Sequence, residues 1–569
     1  MSLPRTSMLA IALLLGGLAT PAQTRAQIFT DVTEEWGVSF RHRHFGTGEK
    51  FMPENMGAGV ALADFDGDGR LDLYFVQGAP LPRRDDPPME SRNQLFLQKE
   101  PGRFADATER SGADDRGVGM GVAWADLERD GDLDLFVTNF GENVLLRNLG
   151  EGRFEAVAEA GVENAEWGAG AGFFDADNDG DLDLFVANYL TVDLEKDVWC
   201  GNAQSKTRAY CHPDIYPGAA DRLFLNRAES ANGLNFVDVS DSAGLAESKD
   251  AKGLGVGLLD LDEDGLADIV VANDSTPNHV YLSTVQGGGR KDAPTYRESA
   301  LELGLALSGD GAPEAGMGLV QEDFDGDGRP ELFFTHLDQE TNTLYREIAP
   351  QLWQDVSERA GLGAPSLTWV GFGVEAIDFD NDGDLDLFVT NGHIIDNITE
   401  FSSERAHAQP LLLFQNDGTG RFRDVSESLA PLGRFVGRGT AQGDLDGDGD
   451  LDLVVTQNDG PARILRNDGP AGNSCQVRLS GSRSNVHGWG AKLTATVGAR
   501  TLVRWARGSS GYLSQGSPTV WFGLAAASRI DRVRVDWPSG LSETFAGLIA
   551  GTAHHLVEGS GTLVDAAQN

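Results

Sequence analysis

Past an apolar stretch at the N-terminus, the hydrophobic residues of this chain fall in short runs bounded by turn residues, and the runs repeat with one syntax. Each unit opens on G-x-G and continues into an acidic loop. An apolar run such as Leu133-Asp-Leu-Phe-Val-Thr-Asn139 follows, then a shorter one such as Asn143-Val-Leu-Leu-Arg-Asn148. A Gly turn leads to a last segment of the type Phe236-Val-Asp-Val239. Runs of this length, rich in Val and Phe and punctuated by Gly and Asn, predict four strands per unit, here named A to D. Strand A carries the G-x-G, where blades crowd an axis and glycine lets backbones approach. Strand B is almost wholly apolar, as a strand buried on both faces is. Four-stranded units spaced 49 to 85 residues apart fit the blades of a β-propeller. The D segments begin at Phe29, Phe104, Phe154, Phe236, Tyr296, Trp353 and Phe422. The first D therefore precedes the first A, and the last unit lacks its own. Pairing of residues 29–33 with the last blade would close a seven-bladed ring over residues 28–468 and remove two open sheet edges. After residue 470 the acidic loops stop. Alternating runs at 475–479, 493–497, 519–522 and 533–537 predict a small β-sandwich-like domain over residues 471–560. The expected class is all-β.

The acidic loops carry the chemistry. Seven times the chain reads D-x-[DE]-x-D-G-x-x-[DE]. Position 1 is Asp64, Asp126, Asp175, Asp260, Asp323, Asp378 or Asp444. Position 3 is Asp66, Glu128, Asp177, Asp262, Asp325, Asp380 or Asp446, and position 5 is Asp68, Asp130, Asp179, Asp264, Asp327, Asp382 or Asp448. Position 9 is Asp72, Asp134, Asp183, Asp268, Glu331, Asp386 or Asp452. Backbone carbonyls at position 7 (Arg70, Asp132, Asp181, Leu266, Arg329, Asp384, Asp450) can complete an all-oxygen set of the kind Ca2+ prefers. The Gly at position 6 permits the sharp turn. An EF-hand needs a carboxylate at position 12; here an apolar strand residue stands there each time, from Phe75 to Val455, so each loop joins two strands. Up to seven structural calcium ions are expected. Glu128 and Glu331 stand where the other loops have Asp, and the longer side chain alters those two sites.

Charge sharpens this picture. The formal net charge is −43, and positions 1, 3, 5 and 9 of the loops hold 28 of the 88 acidic residues, so the metal-free chain repels itself. Such acidity excludes a nucleic-acid partner, which needs a basic surface. The tail from residue 471 has nine Lys/Arg against five Asp/Glu, a net of +4 opposite −47 for the rest; that contrast could dock it on the repeats. Residues 1–26 read as a signal peptide, with Arg5, an apolar core at 8–18 and a small-residue cleavage site ending at Ala26. No later run is long enough to span a membrane. A secreted or periplasmic monomer is expected. Cys200 and Cys211, close together in a polar insert, suit a disulfide in such a compartment, whereas Cys475 lies in an apolar strand pattern.

Strand direction places all acidic A–B loops on one face, the bottom, and all B–C connections on the other, the top. Three B–C inserts, about 78–93, 190–221 and 393–410, are where binding to a protein or glycan is expected. At the top end of strand B the residue is polar in every unit: Gln77, Asn139, Asn188, Asn273, His336, Asn391 and Gln457. These side chains either cap a turn or form a ring that touches a ligand. No G-x-S-x-G, H-E-x-x-H or Walker loop is present. The alternative to a binding protein is an enzyme at the channel mouth, built from His42, His44 and Glu54 with His212, Asp214, His393 and Asp396.

Ser484-Asn-Val-His-Gly-Trp-Gly490-Ala-Lys, Gly511-Tyr-Leu-Ser-Gln515, Trp521-Phe-Gly-Leu524 and Val535-Asp-Trp-Pro-Ser-Gly540 resemble the ASPIC/UnbV domain. The acidic repeats resemble FG-GAP/VCBS repeats, and the combination resembles the cartilage acidic protein-like family. That resemblance implies a calcium-binding, integrin-α-like propeller in a secreted protein, and implies no settled molecular activity.

Overall fold

The computed structural model describes residues 27–81, 91–196, 198–227, 233–245, 250–284, 294–470 and 472–564, so the expected signal peptide lies outside the described residues. The second unit shows how a repeat folds. Gly119–Ala125, Asp134–Asn139, Val144–Asn148 and Phe154–Ala156 pair in that order, each antiparallel to the next. The first two strands are buried at every position, and the fourth buries only its leading Phe. Burial thus falls from the first strand outward. Seven four-stranded antiparallel sheets of this kind occur among the described residues, in a propeller-like all-β fold.

The N-terminal strand Phe29–Asp31 does not pair with the unit that follows it. It runs antiparallel to Arg463–Asn467, with Phe29 opposite Asn467, as the fourth strand of the last sheet. First strands of consecutive units touch in chain order, and Gly437–Gly443 of the last touches Val60–Ala63 of the first. The second glycine of each G-x-G explains the close approach. A Cβ on Gly318 would stand 2.2 Å from the carbonyl oxygen of Phe372, the middle residue of the next G-x-G, and a Cβ on Gly439 would stand 2.8 Å from that of Ala58. No side chain fits in that space.

The tail forms two sheets. One is the three-stranded sheet of Asn473–Ser480 with Val520–Ala525 and Ala553–Val557. The other is five-stranded, built on Lys492–Val497, Arg500–Trp505, Arg529–Asp536, Ser542–Ile549 and Thr562–Leu563. Cys475, Val477, Leu493, Val533 and Trp537 from both sheets share one core with Trp124 and Phe173 of the repeats, so tail and repeats are packed as one body.

Candidate metal centres

In the third loop, both oxygens of Asp175 accept backbone N–H groups, from Asp179 and from Gly180, at 3.0 Å each. Asp183 accepts from Ala176 at 2.9 Å and, across to the neighbouring strand, from Asn226 at 2.8 Å. Position 1 therefore shapes the turn, and position 9 ties the turn to strand C. Carboxylate oxygens of positions 1, 3 and 9 come within 4.8 Å of one another in Asp64/Asp66/Asp72, Asp175/Asp177/Asp183, Asp260/Asp262/Asp268, Asp323/Asp325/Glu331 and Asp378/Asp380/Asp386. Position 5 behaves differently from the simple four-carboxylate expectation. Asp68, Asp130, Asp179, Asp264, Asp327, Asp382 and Asp448 each spend one oxygen on the N–H two residues on, at Arg70, Asp132, Asp181, Leu266, Arg329, Asp384 and Asp450, and in Asp68 and Asp327 the other oxygen pairs with the guanidinium of Arg70 and Arg329.

The donors fit a hard cation. Oδ1 of the position 3 aspartates Asp66, Asp177, Asp262, Asp380 and Asp446 is buried without a hydrogen-bond partner. A buried carboxylate oxygen left so is costly unless a positive charge meets it. Burial, then neighbouring carboxylates, pushes Asp175 up to about 7, and burial first also lifts Asp72 and Asp268 to about 8. In the first and third loops a basic side chain reaches the other position 3 oxygen, Lys99 at 3.1 Å from Asp66 and Arg227 at 2.8 Å from Asp177. The two loops without an orphaned position 3 oxygen are the two that carry Glu. In the second, Glu128 lies 3.9 Å from the Arg147 guanidinium. In the fifth, Asp325 and Glu331 share Arg346 at 3.1 and 3.3 Å. Calcium bound in these loops would supply charge neutralisation and hold the A–B turn.

The tail covers this bottom face. Lys492 meets Glu263 at 3.0 Å, Arg504 donates to the Gly383 carbonyl at 3.0 Å, Arg500 reaches Asp384, and Arg507 reaches Glu322. The Asp126 N–H donates to His487 Nε2 at 3.0 Å. Residues 508–518, between two tail strands, enter the axis of the repeats. Tyr512 is fully buried, stacks edge-on to Phe372, and its hydroxyl donates to the Met56 carbonyl at 2.8 Å. Gln515 holds the backbone of Trp124 from both sides, accepting from its N–H at 2.8 Å and donating to its carbonyl at 3.2 Å. Gly511 and Leu319 exchange two backbone bonds. Sequence reasoning missed this plug; its signal was Gly511-Tyr-Leu-Ser-Gln515, a run without strand alternation between two strands.

At the top, the polar positions bond nearby backbone, as turn caps do. Each is buried and bonds a backbone carbonyl: Asn139 to Glu142, Asn188 to Ala220, Asn273 to Pro277, His336 to Thr341, Asn391 to Pro410, Gln77 to Arg41 and Gln457 to Pro461. Their polar side chains satisfy backbone carbonyls that would otherwise be left without a donor. His42 and His393 are buried and, by burial first, pushed down to about 3; both feel the charge of Arg438, as does His407, and His44 acts on His42 and His407. His212 lies 3.4 Å from Asp214. Arg438 is wholly buried, lies 3.9 Å over the Phe372 ring, and donates to the carbonyls of Asn55, Gly392 and Gly437. Cys200 and Cys211 are joined as a disulfide at the base of the Cys200–Asn202 and Thr207–Ala209 hairpin. Around it Val198, Trp199 and Ile215 are about half exposed. No helix among the described residues is long and apolar enough to cross a membrane.

Residues 481–563 match the ASPIC and UnbV family, and residues 84–137, 127–186 and 323–389 match the FG-GAP-like repeat family. Over 356 residues the chain is 28% identical to cartilage acidic protein 1 of Mus musculus, and over 355 residues 25% identical to that of Homo sapiens. Each match covers 58% of this chain but only 48% and 47% of the relative, so the chain spans about half the length of the curated relatives it matches. Among solved structures, an Agrocybe aegerita lectin that recognises non-reducing terminal N-acetylglucosamine aligns at 14% identity and a TM-score of 0.35, covering 71% of this chain and 86% of that one. The exotype rhamnogalacturonan lyase YesX aligns at 12% identity and 0.31, covering 88% and 91%. Likenesses this low carry no argument about function.

Proposed function

We propose that this chain, an FG-GAP-like repeat protein with an ASPIC and UnbV domain and a relative of cartilage acidic protein 1, is a secreted or periplasmic, calcium-stabilised, closed seven-bladed propeller that binds a protein or glycan through its top-face inserts. The unpartnered, buried position 3 oxygens at Asp66, Asp177, Asp262, Asp380 and Asp446 carry the calcium reading. Closure is supported by the pairing of Phe29–Asp31 with Arg463–Asn467 and by the unbroken order of first-strand contacts. The top face is favoured for binding because the disulfide locks an insert that presents Val198, Trp199 and Ile215 to solvent, the kind of aromatic and aliphatic anchor that interfaces use. The disulfide and the N-terminal segment support an oxidising compartment.

Calorimetric titration of the EDTA-stripped protein tests the first part. We expect several equivalents of Ca2+ bound with a rise in thermal midpoint; binding of none would overturn the reading. For the second part, immobilised extracellular-matrix proteins and glycans are probed with wild type and Trp199→Ala. Binding unaltered by the substitution would move the site away from this insert.

A further inference from the structure

On the bottom face, between the fourth acidic loop and the five-stranded tail sheet, lies a cavity of about 550 Å3. That size is within the range of small-molecule sites, about 300–1,000 Å3. Three indoles line it, Trp489, Trp505 and Trp537, with Leu258 on the repeat side. The sheet builds the polar part by register. Lys492 is the cross-strand partner of Trp505 on one side and of Asp536 on the other, so indole, ammonium and carboxylate stand in one row. The Lys492 ammonium lies 5.5 Å from the centre of the Trp505 ring and 3.0 Å from Glu263 across the cavity. Arg534 pairs with Asp536 at 2.8 Å. Trp489 and Trp537 are buried, so Trp505 supplies the accessible indole beside two charge pairs, each with donors and acceptors, and no net charge from those pairs.

We propose that this cleft binds a neutral sugar residue. A pyranose ring has an apolar C–H face for an indole and hydroxyls that both donate and accept, which matches the two kinds of wall. An acidic glycan would meet Glu263, Asp260 and Asp264. A proline-rich peptide would use the indoles but leave Lys492, Glu263, Arg534 and Asp536 without new partners. The site lies on the face opposite the inserts and stands independently of the top-face reading.

The test uses the full chain in calcium-containing buffer, probed with neutral mono- and disaccharides in solution by tryptophan fluorescence and with a printed panel of neutral glycans. We expect saturable binding of at least one neutral sugar, weakened at least tenfold by Trp505→Ala and unchanged by Trp199→Ala on the top insert. Glu263→Gln, at an exposed rim carboxylate, is the second variant. It should keep the wild-type thermal midpoint and weaken binding severalfold, and it decides the matter if Trp505→Ala does not fold. Absence of any saturable neutral sugar, selective binding of acidic glycans or proline-rich peptides, or wild-type affinity in both cleft variants would overturn the proposal. Loss of sugar binding in Trp199→Ala alone would overturn it while supporting the top face.

Discussion

Asp380 shows what a single carboxylate contributes. One oxygen accepts from the Gln415 amide at 2.8 Å, and the other is buried and unpartnered. Without a cation it adds repulsion; with one it is a ligand. Asp380→Ala is therefore expected to weaken calcium at the sixth loop at least tenfold, about 1.4 kcal/mol, while leaving the melting temperature in EDTA equal or higher. Scanning calorimetry with and without Ca2+ reads both quantities, and a calcium-dependent shift equal to that of wild type would exclude Asp380 as a ligand. Glu558 is a carboxylate of the opposite kind. Burial works to raise its pKa, but the Ser539 hydroxyl and the N–H groups of Arg483, Ser484 and Ser482 outweigh it and hold it at about 2. Its folded value is below its ordinary 4.5, so its stabilisation is complete above about pH 4.5 and is lost as pH falls toward 2. Glu558→Gln should cost about 1–3 kcal/mol at pH 7 and lessen the loss of stability between pH 4.5 and 2, measured as urea midpoints across that window.

The plug is the element on which the tail's attachment turns. It adds backbone bonds to the first strands of four different units, through Leu62, Val122, Leu319 and Gln442, and carries a tyrosine whose hydroxyl reaches the Met56 carbonyl. Tyr512→Phe leaves the Met56 carbonyl without that donor, an expected loss of about 1–2 kcal/mol. Tyr512→Ala also opens a cavity, and the loss rises to about 3–5 kcal/mol. Denaturant unfolding measures both. If the plug were a loosely seated loop, the two variants would unfold with wild type. The charged contacts around it, Lys492–Glu263 and Arg500–Asp384, are partly exposed and add little to this.

Across the whole molecule, net charge and sheet closure act together. With a formal charge of −43, chelation should lower the thermal midpoint, and ionic strength should recover part of the loss by screening. A chain lacking residues 27–33 should melt lower and self-associate, because the edge of Arg463–Asn467 is then open for pairing. Light scattering and melting of the truncated chain check this; a monomer as stable as the full chain would speak against closure as a source of stability.

The sequence by itself determined what is local. Turn glycines, two-sided burial of the second strand and acid spacing are short-range properties, so the repeats, the all-β character and the families of both segments were legible in it. The convergence of positions 1, 3 and 9 follows from the same spacing. Only the tertiary structure decided what depends on residues hundreds of positions apart. It turned Asn139 and its counterparts into caps, because the carbonyls they reach are fixed by the strands on either side. It also brought Tyr512 to the axis and stood Trp505 opposite the fourth acidic loop, since the sheet register of the tail and its charge contrast with the repeats act only once both are folded.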